Sequence, residues 1–299
     1  MRFSLYLSAI LPLAQGIRII QSNDDGWAET NARTFFNRLT AAGHDVVLSG
    51  PAENKSGSGS LDAAPTQVDS DGCQFQSCPP KSPPTGANAS EPRFNYVNSY
   101  PVTAMKTGID TTGPNLWDGA KPELAVSGPN VGANLGAVVL FSGTVGAAMY
   151  AAREAGIPAI AFSGSSGDPT AWNAPTPAYS TVYAELANTI TSAVVASGTP
   201  YLPTGIWLNV NFPEASSQCS SPDQFKFVLT KITWRIFTQD TEWCGSDSLP
   251  LETSVISRTD GCYVTISVGD TDGVLPNADA DAQRQVAEKL KPLLSCLPS

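Results

Sequence analysis

Histidine is nearly missing from this sequence: its 299 residues contain one, His44. A serine hydrolase that needs an imidazole base has a single candidate to draw on. His44, in a Gly-His-Asp turn before a strand-like run, reads as a surface residue instead. Ser163-Gly164-Ser165-Ser166-Gly167 also lacks the spacing of a nucleophile elbow. Charge is sparse, at 15% of residues, and unbalanced: 27 acidic against 17 basic side chains leave a net charge of -10 at pH 7. A basic stripe is absent, which argues against a nucleic-acid duplex or an anionic membrane surface as partner. The six cysteines form no C-x-x-C pair, so a zinc-knuckle reading fails. No apolar run is long enough to span a bilayer.

What is present suits a loop-rich globular protein: 41% hydrophobic residues, 25 glycines and 24 prolines. Met1-Arg2, the apolar run Phe3 to Leu13 and the small residues of Ala14-Gln15-Gly16 form the pattern of a secretory signal peptide over residues 1–16, with the mature chain starting at Ile17. In an exported chain, Cys73, Cys78, Cys219, Cys244, Cys262 and Cys296 are expected to pair as disulfides. Cys73 and Cys78 lie close enough to close a local loop; the remaining connectivity is open. Asn54 and Asn88 begin glycosylation sequons.

From Ile17 the pattern alternates. A short apolar run (17–21) is followed by helical spacing over 27–42, a glycine stop at Gly43 and a strand at 45–48. Residues 67–93, rich in Pro, Ser and Gly, read as an insertion. Strands are expected at 94–98, 123–127, 158–162 and 206–211, and helices at 142–156 and 178–196. Beyond Pro213 come extended pieces at 225–229 and 262–268 and a helix at 282–294. This predicts an α/β fold, a doubly wound and mostly parallel sheet with a β-rich C-terminal extension, making one domain over 17–299. In such sheets ligands bind beyond the carboxyl ends of the strands.

The loops at those ends hold the candidate chemistry. Asp24 and Asp25 follow the first strand without a basic neighbour in sequence. Adjacent carboxylates repel, and a hard divalent cation such as Mg²⁺ or Mn²⁺ resolves the conflict. A turn with a capping Asp would explain the same two residues. Asn54 to Ser60 offers hydroxyls and glycine amides after the second strand. Ser127 to Gly136 spaces glycines around Asn130 and Asn134, in neither the Walker nor the dinucleotide pattern. Ser142-Gly143-Thr144 opens a helix, whose N-terminus suits an anion.

Together, Ser22-Asn23-Asp24-Asp25-Gly26, Asn54-Lys55-Ser56-Gly57, the stretch from Ser127 to Gly136, and Ser142-Gly143-Thr144-Val145 resemble the SurE family of survival-protein nucleotidases, and most closely its fungal, secreted, acid-phosphatase-like branch. Leu208 to Pro213 and Gly261 to Ile266 look like later family segments. The resemblance implies a Rossmann-like fold, a divalent metal and hydrolysis of phosphomonoesters such as nucleoside 5′- and 3′-monophosphates, and it admits a homo-oligomer. Carried over by position, it implies metal ligands at Asp24, Asp25, Ser56 and Asn130. It also implies phosphate or substrate contacts at Asn134, Ser142, Gly143 and Thr144. On a mechanism consistent with both the residue pattern and the resemblance, Asp24 and Asp25 are the expected catalytic residues, Asp24 taking a proton from the attacking water and Asp25 anchoring the metal. The chain departs from the family at Tyr100-Pro101-Val102-Thr103, at Ala137 and Val138, and in the cysteine-bearing insertion. Two other readings compete. A haloacid-dehalogenase-type phosphatase would need an aspartate where Asn23 stands, and a secreted ligand-binding protein could keep the fold without catalysis.

Overall fold

The computed structural model describes residues 16–234, 239–271 and 276–298. The expected signal peptide therefore lies outside the described residues, apart from Gly16. The first unit is β1 (Arg18–Ser22), α1 (Thr30–Ala41) and β2 (Asp45–Pro51). The insertion that follows carries a short strand, β3 (Thr85–Ala87), and leads into β4 (Phe94–Val97). Next come α2 (Pro101–Thr107), a π-helical turn at 108–112 and α3 (Gly113–Leu116). The alternation resumes with β5 (Leu124–Val131), α4 (Gly143–Arg153), β6 (Ala159–Gly164), α5 (Ala178–Ala196) and β7 (Ile206–Phe212). The last elements are β8 (Phe225–Thr230), α6 (Glu252–Ile256), β9 (Cys262–Asp270) and α7 (Ala280–Leu290).

All nine strands form one sheet in the order β3-β4-β2-β1-β5-β6-β7-β9-β8. From β4 to β7 every pairing is parallel. Central strands such as β5 and β6 are buried almost throughout, as parallel strands covered on both faces must be. One core cluster packs α1 and α5 against the sheet, with Phe35, Phe162, Tyr183 and Phe212 in ring contact. The other face is covered by α2 and the small-residue helix α4, with Met105, Ala147, Ala148 and Ala151 buried against Ile20 and Ala125.

The expected β-rich extension is present, but it continues the same sheet rather than forming an appendage. β9 runs antiparallel to β7, and β8 parallel to β9. The segment after α7 then lies along the outer edge of β8: Leu294 bridges Phe227, and Ser295 N donates to Phe227 O at 2.7 Å. Three disulfides are formed, Cys73–Cys78, Cys219–Cys262 and Cys244–Cys296. Among the described residues no helix is long and apolar enough to cross a membrane.

Candidate active site

β1 and β5 are neighbours at the centre of the sheet. On one side of them the chain moves out through β2 and β4, on the other through β6 and β7. Such a reversal opens a crevice above the strand ends, where α/β proteins hold ligands. Asp24 and Asp25 lie just beyond β1, in a turn closed by Asn23, whose Nδ2 donates to Gly26 O at 2.9 Å. Asn130 lies at the end of β5, past a register shift against β6 between Ser127 and Asn130. Gly128 permits that irregularity: its φ is +100°, and a Cβ there would sit 2.2 Å from Phe162 O.

Both aspartates are almost fully enclosed, at 2% and 1% exposure. Asp24 is held by the start of α4. Thr144 N donates to its Oδ2 at 3.1 Å and Thr144 Oγ1 to its Oδ1 at 2.7 Å, while Ser142 Oγ caps the helix by accepting from Val145 N at 3.1 Å. The positive end of the helix thus faces a carboxylate of the protein itself. Asp25 Oδ2 accepts from Val131 N at 2.8 Å. Burial pushes the Asp24 carboxyl above its ordinary pKa, against the pull of the Thr144 bonds. It pushes Asp25 well above, with the negative charge of Asp24 adding to the effect. Among the described residues no lysine, arginine or histidine forms an ion pair with either.

Asn130 joins this pair through Thr144. Its Nδ2 is taken by the loop carbonyls of Gly132 (2.6 Å) and Val131 (3.2 Å), leaving Oδ1 at 3.5 Å from Thr144 Oγ1. The loop after β2 is tied to the same place, since Lys55 N donates to Asp24 O at 2.7 Å. Ser56, however, is exposed on that loop, its amide bonded to Asn54 Oδ1 at 2.8 Å. The buried hydroxyl is Ser58, whose Oγ has no partner. It sits against Gly143, where a Cβ would stand 2.7 Å from Ser58 Oγ and 2.9 Å from Asp24 Cβ. Of the four expected ligands, Asp24, Asp25 and Asn130 converge and Ser56 stands at the rim.

The donor set suits a hard divalent cation. Two buried anions without a cationic partner are costly, and the groups linked to them are neutral oxygens, the Thr144 hydroxyl and, 3.5 Å from it, the Asn130 carboxamide. Among the described residues no three His, Cys, Asp or Glu side chains cluster as a metal site, so a cation held here would take its remaining ligands from neutral oxygens or solvent.

Asn134 is equally fixed. Its amide N donates to Asn211 Oδ1 at 2.8 Å and its Nδ2 to Ser163 Oγ at 2.8 Å. Its carbonyl accepts from Asn209 (2.9 Å) and Asn211 (3.0 Å). Ser163, Asn209 and Asn211 were not among the expected site residues, although 163–168 reads as one of the polar loops following a strand. The available signal was the pair of asparagines two apart inside an otherwise apolar strand, which points both to one face. His44 lies at the opposite end of the sheet, before β2; contrary to the expected surface position it is buried, its Nδ1 accepting from Ile17 N at 3.3 Å.

The sequence profile described as "Survival protein SurE" matches residues 19–239. An acid phosphatase of Yarrowia lipolytica is 33% identical over 301 residues, covering 89% of this chain and 82% of that protein. A 5′-nucleotidase SurE of Lawsonia intracellularis is 32% identical over 203 residues, 67% of each chain. The crystal structure of the SurE protein from Aquifex aeolicus superposes with a TM-score of 0.60 over 91% of this chain and 98% of that one, at 21% identity, and so shares the fold.

Proposed function

The chain belongs to the SurE family, a family of phosphomonoester hydrolases, and from that membership we propose that it is an exported, divalent-cation-dependent phosphatase acting on nucleoside monophosphates and related phosphomonoesters. One observation supports the metal: Asp24 and Asp25 are buried side by side, among the described residues no cationic side chain pairs with them, and the Asn130 carboxamide oxygen lies 3.5 Å from the Thr144 hydroxyl that binds Asp24. Asp24, Asp25, Asn130 and Ser56 would hold the cation, which when bound supplies charge neutralisation for the phosphoryl oxygens and lowers the pKa of water. Three disulfides favour an oxidising destination.

The chain's own residues then divide the work. Thr144 fixes the orientation of Asp24, and Val131 N that of Asp25. Asn134, Ser142, Gly143 and Thr144 border the space for the phosphoryl group. Water attacks phosphorus in line with the departing alkoxide, and an aspartate takes the water's proton. Both oxygens of Asp24 already accept from Thr144, whereas one oxygen of Asp25 is uncommitted, so we assign the proton to Asp25 and the anchoring role to Asp24. This reverses the division expected from the sequence. The test is hydrolysis of a panel of nucleotides and simple phosphomonoesters with Mg²⁺, with Mn²⁺ and with chelator. Cation-dependent turnover is expected, and full activity after exhaustive chelation would refute the metal.

A further inference from the structure

Beyond the segment matched by the family profile, one acidic side chain reaches back to the site. Glu252 opens α6 and is fully buried. Its backbone is set by the end of β8, with Lys231 N donating to Pro250 O and Glu252 N to Lys231 O, each at 3.0 Å. Its carboxylate collects donors from three separate elements. Oε1 accepts from Gly136 N at 2.7 Å, in the loop after β5; Oε2 accepts from Asn209 Nδ2 at 3.0 Å, in β7, and from Ser267 Oγ at 2.8 Å, in β9. Ser267 is itself hydrogen-bonded to Thr230 Oγ1 at 2.7 Å.

Asn209 Nδ2 is shared. It donates to Glu252 and, at 2.9 Å, to the carbonyl of Asn134. Glu252 therefore grips the loop twice, directly at Gly136 and through Asn209 at Asn134. Gly136 N, Asn209 Nδ2 and Ser267 Oγ all need an acceptor oxygen of Glu252, and in a water-excluded network the loss of one member leaves others unsatisfied. Asn134 is also held by Asn211 and Ser163, whereas at Gly136, in the left-handed region (φ +57°) where glycine is permissive, the side-chain partner of the amide is Glu252.

We propose that Glu252 is a positioning residue that locks the Asn134–Gly136 loop against β7 and β9 and thereby sets the enzyme's affinity for the phosphoryl group. This rests on the reading of Asn134 as a phosphate contact in a phosphomonoester hydrolase. Glu252→Gln keeps the size but turns one acceptor oxygen into a donor that meets Gly136 N or Asn209 Nδ2 head on.

The experiment compares wild type and Glu252→Gln by KM for p-nitrophenyl phosphate, by Ki for inorganic phosphate as competitive inhibitor, and by Mn²⁺-induced thermal stabilisation. KM and Ki are expected to rise in parallel, by tenfold or more, while stabilisation by Mn²⁺ remains. A merely structural role would reduce the active fraction, lowering Vmax with KM and Ki unmoved, and that result would overturn the proposal. Should Glu252→Gln fail to fold, Asn209→Leu, with the same branching, removes the shared link; a several-fold parallel rise is expected, and unmoved constants refute the idea. If the wild type hydrolyses no phosphomonoester with any divalent cation, the functional reading falls and this inference with it. Wild-type hydrolysis with unmoved constants in the variants overturns the inference alone.

Discussion

Replacing Glu29 by glutamine should raise the stability of the metal-free protein at neutral pH. Glu29 precedes α1 and caps it, Oε2 accepting from Asn31 N at 2.6 Å and Ala32 N at 3.4 Å, but it is completely buried and Oε1 has no partner. Burial outweighs the cap bonds and pushes the carboxyl from 4.5 up to about 7. Between those values the folded protein holds a proton that the unfolded chain releases. Stability from this group is therefore complete below pH 4.5 and is lost as pH rises through 7. The gap, at about 1.4 kcal/mol per pH unit, amounts to roughly 3 kcal/mol, a large share of the 5–15 kcal/mol typical of a whole domain. Glutamine cannot ionise and keeps one acceptor for Asn31 N; its unpaired amide costs about 1 kcal/mol. A net gain of about 2 kcal/mol near pH 8 is expected. Urea unfolding in chelator across pH 4.5 to 8 measures it. Glu252, also pushed to about 7 by burial, slopes the same way, so the variant's curve should flatten by one carboxyl's share rather than become level. Parallel curves for the two proteins would refute the reasoning.

Asp24→Asn and Asp25→Asn should each hold or raise metal-free stability by relieving a crowded pair, yet lower turnover by about a hundredfold or more and lose stabilisation by Mn²⁺; normal turnover in both would remove the case for a metallophosphatase. His44→Gln should leave turnover within a few-fold, because the imidazole faces the Ile17 amide at the far end of the sheet; a loss of about a thousandfold in a folded variant would contradict this. Gly143→Ala should cost at least tenfold in kcat/KM and about 1–3 kcal/mol in stability, since the new methyl meets Ser58, Pro101 and Asp24 within 3 Å; wild-type kinetics would show that the crowding is relieved elsewhere.

Elements with a strong period were readable from the residues. α5 spans the expected 178–196, and β6, β7, β8 and β9 differ from expectation by a few residues at their ends. α2 was missed because Tyr100-Pro101 was weighed only as a departure from a family segment, although proline is well suited to the first turn of a helix. β5 was expected to stop at Ser127 and runs to Val131, since Gly128-Pro129 disguises a strand that carries an irregularity there. That difference moves Asn130 from a loop to a strand end. Asp24, Asp25 and Asn130 could be named from local wording. Glu252, Asn209 and Ser163 were not, because nothing in a linear pattern shows that Glu252 meets Gly136 across 116 positions, or that Asn209 and Ser163 meet Asn134 across 75 and 29.

The strip of chain lying along β8 bears on how copies of this molecule meet. An outer strand with free carbonyls is a template onto which another copy can add, and sheets that leave one bare tend to polymerise. Here Ser295 occupies the Phe227 carbonyl, and the bond between Cys244 and Cys296 fastens that strip in place. The opposite rim ends in β3, three residues long and too short to seed growth. The nine strands of the described sheet thus finish in a stopper at one side and a stub at the other, so neither rim is a long bare edge. Loosening the stopper, by reducing that bond or trimming residues 294–298, would expose the one long rim available for edge-to-edge assembly.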